Sequence, residues 1–521
     1  MMWSTLLFLI CAQKASASLS ASVGPLTSYA SKAATKVCNI VDYGAFQNGS
    51  DISSALSSAW SDCAVGGLVY IPPGNWSLAS FPLLKNGVSS AVQLDGIIHR
   101  TGSDGSNMLA FRNCEDFEFF SGNSKGAIQG NGHEYLADGN YGPRLARFKE
   151  MRHFSIHGIA LIESPSYYLT LDTVTNGEIY NIIMRGATVL GATDAIDVWG
   201  ENVWIHDIEA TNGDECVTVK SPASSFLIES IYCNLSGGNA IGSLSTGTNI
   251  SDITYRHIYA NWADPCYIKS NGGNGTVQNI LWDTVTMRDA AYPLAINSGW
   301  QSEDGGGDGV FFKNLTFKNW HGYNEKNSRS TIRLECPDEV PCTDITLDNV
   351  NLWSANDATY AVNNCFNAYG TGSCLRNETD SMSTYSSYLT LTATPSHSTT
   401  WMPNDFTTEL FANSTFTIPP IPTTFYPGQK PSSALLSLTG PGVGPASASS
   451  SSIVASSSTP VAKTSTSVTI VNSDVQTTGT SLDSAATFTS SLSTNQNPKH
   501  NHGHNQHVGN HIKKAGRHAG H

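Results

Sequence analysis

The chain has 521 residues, with 28 Lys and Arg against 42 Asp and Glu, which gives a formal net charge of −14. This acidic balance argues against nucleic acid as a partner, and an anionic ligand would need a local basic site. Gly, Ser, Thr and Asn are abundant and long amphipathic helical patterns are scarce after the N-terminus, which indicates a β-rich fold with many turns.

The first 17 residues are typical of a secretory signal peptide. An apolar stretch from Leu6 to Ala12 is followed by the small-residue cleavage site Ala15-Ser16-Ala17. No other segment is long and apolar enough to span a membrane, so we expect a secreted, extracellular protein. Of the 11 cysteines, Cys11 leaves with the signal, and the even number that remains favours disulfides. Sequons predict N-glycans at Asn48, Asn75, Asn234, Asn249, Asn274, Asn314, Asn377 and Asn413.

A weak repeat begins near Asn176 and recurs every 25 to 35 residues or so, a period typical of solenoids. Its copies read GEIYNIIMRG, ENVWIHDIEA, SFLIESIYC, SDITYRHIYA, QNILWDTVTM, KNLTFKNWHG and TDITLDNVNL. A second motif, which we call the serine motif, consists of an apolar residue, a variable residue and a serine, and recurs as VKS, IGS, IKS and INS. Short strands, Gly and Asn turns and the absence of a helical period predict an all-β fold, a parallel β-helix in which each repeat is one coil. A large antiparallel sandwich is the alternative.

The predicted β-helix spans residues 18–437, and the composition changes beyond it. Residues 438–499 are rich in Ser and Thr with scattered Pro, as expected of a disordered, O-glycosylated stalk. The His-rich residues 500–521 are interpreted as a disordered polar tail, with metal capture as the alternative. This extension suggests association with a cell wall, and the polar end does not support a GPI anchor.

The serine motif sets the register of the coils and predicts where their side chains point. One inward row contains Val198, Val219, Ile241, Ile268 and Ile296, and the outward positions before it are Asp197, Thr218, Ala240, Tyr267 and Ala295. The outward positions after it are Trp199, Lys220, Gly242, Lys269 and Asn297. Counting back along each strand in this register places Asp194 beside Glu215 on the next coil. If a bend at the strand start turns both outward, one face gathers the acids Asp194, Asp197, Asp214 and Glu215 beside Lys220, Tyr267 and Lys269.

Crowded carboxylates raise one another's pKa, so one can stay protonated as an acid while another acts as a base. This division of labour is what glycoside hydrolysis requires, and the two lysines would suit an anionic sugar. In the structural alternative, Asp194 and Asp214 cap turns and Glu215 is solvated. Trp199, Trp262 and Trp300 could stack on sugars, but core packing explains them equally well.

These residues resemble glycoside hydrolase family 28, whose polygalacturonases carry Asn-Thr-Asp, Asp-Asp, Gly-His-Gly and Arg-Ile-Lys. Here Ala192-Thr193-Asp194 lacks the Asn, Asp214-Glu215 replaces the double Asp, SGGNAIGS lacks the His, and Tyr267-Ile268-Lys269 replaces Arg-Ile-Lys. These departures are similar to the fungal rhamnogalacturonan hydrolase branch. Further similar stretches, including GGLVYIPPGNW, QLDGIIHRTG and IPTTFYPG, lie between residues 18 and 437.

The resemblance implies a right-handed parallel β-helix that hydrolyses the rhamnogalacturonan I backbone of plant cell walls by an inverting, endo-type reaction. It implies that Asp214 is the general acid and that Asp194 and Glu215 activate water, with Asp197 as a further candidate. Inversion predicts roughly 6.5 to 9.5 Å between acid and base carboxyl groups. Lys220, Tyr267 and Lys269, followed by Arg288 and Tyr292, are candidates for binding the galacturonate carboxylate. We expect a monomer with no metal and no cofactor.

Cysteine spacing and the resemblance together suggest four disulfides, and Cys114 and Cys266 are left over. The expected pairs are Cys38 with Cys63, Cys216 with Cys233, Cys336 with Cys342 and Cys365 with Cys374.

Three other functions remain open at this point. The first is a hydrolase of homogalacturonan or xylogalacturonan, which the missing His and Arg disfavour. The second is a β-helix lyase, which would need a basic proton acceptor and usually Ca²⁺, and which would leave an unsaturated sugar. The third is a non-catalytic protein that binds wall polysaccharide. The carboxylate mechanism and the acidic pI predict an acidic pH optimum.

Overall fold

The computed structural model describes residues 19–103, 106–188, 192–300, 307–325, 329–355, 360–377, 383–393 and 417–422. The signal peptide, the Ser/Thr-rich segment, the His-rich tail and Asn413 lie outside these residues, so the predictions made for them stay predictions. No helix in the described part of the chain has the length and apolar character needed to cross a membrane.

Strands dominate the described residues. In chain order they are β1 (Val37–Asn39), β2 (Leu68–Ile71), β3 (Asn75–Leu78), β4 (Leu83–Lys85), β5 (Val88–Leu94), β6 (Ile97–Arg100), β7 (Asn107–Arg112), β8 (Glu115–Phe120), β9 (Ala127–Gln129), β10 (Arg144–Lys149), β11 (Arg152–His157), β12 (Ala160–Ile162), β13 (Leu169–Arg185), β14 (Ile196–Thr211), β15 (Glu215–Asn234), β16 (Gly238–Leu244), β17 (Thr248–Asn261), β18 (Tyr267–Ser270), β19 (Gly275–Ala290), β20 (Leu294–Asn297), β21 (Phe311–Asn324), β22 (Ile332–Glu335), β23 (Cys342–Ser354), β24 (Tyr360–Phe366), β25 (Ala368–Thr371) and β26 (Ser386–Thr392).

The helices in the described residues are short and all lie before β10. They are α1 (Tyr29–Thr35), the 3₁₀ turn Ile40–Tyr43, α2 (Ser53–Cys63) and α3 (His133–Leu136). The Ser28 hydroxyl caps α1 by accepting a hydrogen bond from the amide of Ser31. Helix α2 buries Leu56, Ala59 and Trp60 in the main core and contacts β1, β2 and β4, so it covers the first coils of the stack.

The strands stack as coils, since each pairs in parallel with a strand one coil away. Examples are β13 on β14, β14 on β15, β15 on β17 and β17 on β19. At the C-terminal end, β26 pairs antiparallel with β24 and covers the edge that β24 would otherwise expose. The parallel β-helix predicted from the repeat is therefore confirmed, and the sandwich alternative is wrong.

The longest strands are bent, and left-handed residues make the bends. A column at the first bend has φ between 54° and 59° and contains Asn176, Asn202, Ser225, Asp252, Asn279, Asn314 and Asp344. A second column has φ between 51° and 59° and contains Asn181, Asp207, Ser230, His257, Thr284, Asn319 and Asn349. Asn and Asp tolerate this conformation better than most residues, which explains why they fill ten of these fourteen positions.

The predicted register is confirmed strand by strand. Val198 pairs with Val219, Val219 with Ile241, Ile241 with Ile268 and Ile268 with Ile296. All five side chains are fully buried, so this row is part of the core. The preceding row was expected to face outward, yet Thr218, Ala240 and Ala295 are also fully buried. This row is therefore not a free surface, and we call the side of the β-helix that carries it and the flanking Lys220 and Lys269 the groove.

All four expected disulfides are present, joining Cys38 to Cys63, Cys216 to Cys233, Cys336 to Cys342 and Cys365 to Cys374. Cys114 and Cys266 are buried free thiols, and burial raises the pKa of the Cys114 thiol to about 11. A buried thiol with a raised pKa reacts slowly, so these two cysteines are packing residues.

The prediction of a glycan at Asn234 is contradicted by the structure. Asn234 is 1% exposed, its side-chain amide donates to the Thr211 hydroxyl, and its oxygen accepts from Asn261. Asn314 is half-buried, and its amide donates to Asn279 in a bend column. The other sequons in the described residues are exposed, so their glycans remain predictions; they are Asn48, Asn75, Asn249, Asn274 and Asn377.

Candidate active site

Neighbouring coils bring the predicted carboxylates to one place in the groove. Asp194 lies just before β14, Asp197 lies within it, Asp214 precedes β15, and Glu215 begins it. One oxygen from each of Asp194, Asp214 and Glu215 lies within 4.8 Å of the other two. These three carboxylates therefore converge, as the assumed bend at the strand starts requires, although Asp194 and Glu215 are 3% and 7% exposed.

Backbone hydrogen bonds fix the acidic pair. The two carboxylate oxygens of Asp214 accept hydrogen bonds from the backbone amides of Ala192 and Glu215. The Ser236 hydroxyl, one coil later, donates to the Asp214 carbonyl at 2.7 Å. Beneath the turn, the Asn212 side chain donates to the carbonyls of Thr193 and Glu215, at 2.8 Å each. The last contacts tie the Asp194 turn to the Glu215 turn, so the carboxylates are held by the fold before any ligand binds.

Two lysines lie directly against the carboxylates. The Lys220 ammonium is 3.2 Å from an oxygen of Asp197 and 3.9 Å from an oxygen of Asp194. The Lys269 ammonium forms an ion pair with Glu215. Four acids and two lysines thus occupy one patch, so two cations are in position to meet an anion.

The pKa of Asp194 is raised well above its ordinary value. Burial is the largest cause, and the charges of Asp197 and Asp214 add to it, while Lys220 and Lys269 oppose the shift. The pKa of Lys220 is also raised, because Asp197 and Asp194 outweigh the burial that would lower it. Burial and the neighbouring acids thus disfavour the ionised form of Asp194, as expected for like charges held close together.

An aromatic wall continues from the lysines. The ring of Tyr267 stacks on Tyr292 with centroids 4.9 Å apart and meets the edge of Trp300 at 5.4 Å. The Lys269 ammonium lies 5.4 Å from the centroid of Trp300. Behind this wall Asp264 accepts a hydrogen bond from the Tyr292 amide at 2.7 Å. Burial raises the pKa of Asp264 to about 7. Asp264 therefore positions the wall without facing the groove.

Two tyrosines on the other side of the cluster were missed by the sequence reasoning. Burial and the charges of Asp194 and Asp197 raise the pKa of Tyr167. Burial and the charges of Asp214 and Asp194 do the same for the pKa of Tyr141. Both residues precede Asn176, where the recognisable repeat begins, so counting coils from the repeat could not reach them.

The last two candidates for carboxylate binding, Arg288 and Tyr292, have different surroundings in the structure. Tyr292 belongs to the aromatic wall, whereas the guanidinium of Arg288 lies 3.4 Å from the carboxylate of Asp289. Two arginines that the sequence reasoning did not single out approach Tyr292 instead. The guanidinium of Arg329 lies 4.3 Å from the centroid of its ring, and that of Arg333 lies 6.0 Å from it.

The spacing of the carboxylates bears on the expected inversion. Inversion predicted roughly 6.5 to 9.5 Å between acid and base groups, but the oxygens of Asp194, Asp214 and Glu215 approach within 4.8 Å. The two distances are different quantities, because the second joins the nearest oxygens only, so the predicted separation of the carboxyl groups stays a prediction. Three oxygens at such distances could also hold a divalent cation, although the ammonium groups of Lys220 and Lys269 compete for the same carboxylates.

The chain matches one known enzyme family over more than half of its length. Residues 70–374 match the model of the glycosyl hydrolases family 28. The chain belongs to this family. It is 58% identical over 431 residues, 82% of this chain and 96% of the relative, to a probable rhamnogalacturonase C of Aspergillus flavus. It is 48% identical over 425 residues to rhamnogalacturonase A of Aspergillus aculeatus, covering 81% of this chain and 96% of the relative. This family 28 member is a glycoside hydrolase.

Solved structures of the family share the fold. An endo-xylogalacturonan hydrolase from Aspergillus tubingensis superposes with a TM-score of 0.56 at 20% identity, over 61% of this chain and 93% of that one. A polygalacturonase from Erwinia carotovora superposes with a TM-score of 0.53 at 17% identity, over 65% and 97% of the two chains. At these identities the likeness shows the β-helix and nothing finer.

Proposed function

We propose that this glycoside hydrolase cleaves galacturonic acid–rhamnose linkages in the backbone of rhamnogalacturonan I, outside the cell. The carboxylate cluster of Asp194, Asp214 and Glu215, flanked by Lys220 and Lys269, is the observation that carries the proposal. Acids supply the proton donor and acceptor that hydrolysis needs, and the cations suit a uronate sugar. The relatives named rhamnogalacturonases, at 58% and 48% identity, support this substrate.

In the proposed reaction Asp214 is the general acid. Its carboxyl group is half-buried, while Asp194 and Glu215 are 3% and 7% exposed. A sugar oxygen in the groove therefore meets Asp214 first. Asp214 gives its proton to the glycosidic oxygen as the bond to the anomeric carbon breaks. Water adds to that carbon and passes its proton to Asp194 or Glu215, so that every proton is accounted for.

The lysines have two proposed roles. In the free enzyme they partly neutralise the carboxylates, since Lys220 contacts Asp194 and Asp197, and Lys269 contacts Glu215. When substrate binds, their ammonium groups also face the galacturonate carboxylate beside the scissile bond. Asp197 holds Lys220 in place, which we propose as its function in the site. Tyr267 supplies an apolar ring for the sugar face, since Asn297 contacts its hydroxyl at 3.3 Å.

Inversion is proposed from the family resemblance, and it needs its own test because the nearest-oxygen distances do not measure the separation of the carboxyl groups. Proton NMR of the first product would give the anomeric configuration before mutarotation. We expect the opposite configuration to that of the cleaved linkage, and a product of the same configuration would show a retaining reaction.

The substrate is tested by digesting saponified rhamnogalacturonan I and polygalacturonic acid in parallel, with and without a chelator. We expect shortening of rhamnogalacturonan I alone, new reducing ends, no absorbance from unsaturated sugar, and the same rate with chelator present. Cutting of polygalacturonic acid would favour a homogalacturonan hydrolase, whereas new absorbance that depends on Ca²⁺ would identify a lyase. No change in any pectic polymer would favour a binding protein. Size analysis of early products distinguishes endo from exo cleavage.

The proposed organisation is a monomer with a catalytic β-helix over residues 18–437, a stalk over 438–499 and a tail over 500–521. Secretion follows from the signal peptide over residues 1–17, and the extension is proposed to hold the enzyme at the wall.

A further inference from the structure

Cations recur on alternate coils of the groove. Lys220 lies on β15, Lys269 lies on β18 two coils later, and Arg333 lies on β22 two coils later again. The pairing is continuous, since Thr218 pairs with Ala240, Ala240 with Tyr267, Tyr267 with Ala295 and Ala295 with Arg333. Arg333 therefore stands in the row of Thr218 and Tyr267, about 19 Å from Thr218 along the stack at roughly 4.8 Å per coil. The row of Lys269 is a different one and continues through Asn297 to Glu335.

At the matching positions, the coils between these cations carry no charge. On β16 the corresponding residues are Ala240 and Gly242, and on β20 they are Ala295 and Asn297. Asn297 is 7% exposed and contacts the Tyr267 hydroxyl, so its side chain belongs to the aromatic wall. The two rows are thus uncharged on β16 and β20, while β22 carries Arg333 in one row and Glu335 in the other.

Arg333 has the surroundings of a binding residue. Its side chain is 29% exposed, pairs with Glu335 at 2.6 Å and lies over the ring of Tyr292. Arg329, 26% exposed, covers the same ring at 4.3 Å and pairs loosely with Glu325 at 3.9 Å. Two guanidinium groups beside one aromatic ring provide a stacking surface for a sugar and donors for its carboxylate.

We propose that Arg333, with Arg329 and Tyr292, forms a distal subsite for a uronate carboxylate of the polysaccharide. This inference rests on the proposed function. A sugar residue in an extended chain advances by about the spacing of one coil, so a polymer of alternating uronate and neutral sugars lying along the groove brings a uronate to every second coil.

The test measures binding of rhamnogalacturonan oligosaccharides of increasing length to an Asp214→Asn variant by calorimetry. We expect affinity to rise in a step when the oligomer first reaches the Arg333 coil. In Asp214→Asn with Arg333→Gln this step should shrink, by roughly fivefold in Kd for a charge-assisted contact at a partly exposed site. Arg333→Lys should recover part of the step, because it keeps the charge and loses the planar fork.

Two controls separate carboxylate binding from a structural role. Arg256 is a matched arginine, since its side chain is 43% exposed and pairs with Glu229 at 2.5 Å, and it lies on β17 rather than on the groove row. Arg256→Gln should leave the step intact. Oligomers whose uronates are reduced to neutral sugars should bind Asp214→Asn with the same Kd whether or not Arg333→Gln is also present.

The inference is overturned if the step survives Arg333→Gln, or if that substitution weakens neutral and acidic oligomers equally. Either result would leave the proposed function intact, because the parent enzyme would still cut rhamnogalacturonan I. Failure of the parent enzyme to cut that polymer would instead contradict the proposed function.

Discussion

At the scale of single residues, Asp194 has the strongest electrostatic constraint in the site. Its carboxyl group is buried beside two other acids, which raises its pKa, while Lys220 and Lys269 act in the opposite direction. A base must be ionised to accept a proton from water. The proposed role of Asp194 therefore depends on the lysines, and Lys220 is the one that can be tested with the least disturbance of the aromatic wall.

Replacing Lys220 with Gln removes a charge that lowers the pKa of Asp194, so that pKa rises further. If ionised Asp194 is the base, activity is lost at a higher pH on the acidic side. We expect the acidic limb of kcat/KM against pH to move to higher pH in Lys220→Gln, with a lower maximum.

The matched control is Lys36→Gln, because Lys36 is exposed and pairs with Asp62 at 3.3 Å away from the carboxylate cluster. Its pH profile should coincide with that of the parent. Movement of the alkaline limb in Lys220→Gln, with the acidic limb in place, would mean that Asp194 works as the protonated acid and would contradict the proposed roles.

At the scale of elements, the site is built where turns meet strand starts. The Cys216–Cys233 disulfide is buried and begins one residue after Glu215, so it ties the start of β15 to its end. The side-chain amide of Asn212, which lies between β14 and β15, also donates hydrogen bonds to the carbonyls of Thr193 and Glu215. These contacts set the position of Glu215 more firmly than exposed loop residues could.

Replacing both Cys216 and Cys233 with Ala should lower the free energy of unfolding by about 3 kcal/mol, as expected for a loop of this length. It should also lower kcat, because the start of β15 gains freedom. Thermal unfolding and kinetics measure the two effects. Replacing Cys365 and Cys374, which close a shorter loop at the C-terminal coils, should lower Tm while kcat stays within about twofold of the parent. Equal losses of kcat in the two pairs would contradict a special role for Cys216–Cys233.

The sequence predicted elements better than it predicted their surroundings. The serine motif predicted the core row from Val198 to Ile296, because strand side chains alternate between the two faces and the coils repeat. It did not predict that Thr218 and Ala240 would be buried, since burial of an outward row depends on the side chains that rise beside it. It also missed Tyr167, Arg329 and Arg333, which lie where the repeat is weak or interrupted. Buried Asn234 matched the sequon pattern because such a pattern carries no information about exposure.

At the scale of the whole molecule, the chain separates a catalytic unit from an extension. The family match spans residues 70–374, and every residue of the proposed site lies between Asp194 and Arg333. About four fifths of this chain aligns with 96% of the length of two relatives named rhamnogalacturonases. This coverage supports the proposed division, in which the Ser/Thr-rich and His-rich segments are an addition to the catalytic unit.

Removing residues 438–521 should leave kcat/KM on soluble rhamnogalacturonan I within about twofold of the parent, because no residue of the proposed site is lost. Retention on insoluble plant cell walls should fall, as measured by the fraction of enzyme recovered with the wall after washing. Equal retention of both forms would contradict the proposed wall association, and loss of soluble activity would contradict the division into a catalytic unit and an extension.

The most direct test of the account is the rate of rhamnogalacturonan I cleavage by Asp214→Asn, compared with Asp62→Asn as an exposed control. We predict that Asp214→Asn folds with the parent Tm to within a few degrees and loses at least about a hundredfold in kcat, as expected when a general acid is removed. Asp62→Asn should keep the parent rate. If Asp214→Asn kept full activity, the carboxylate cluster would not be the catalytic site as assigned here.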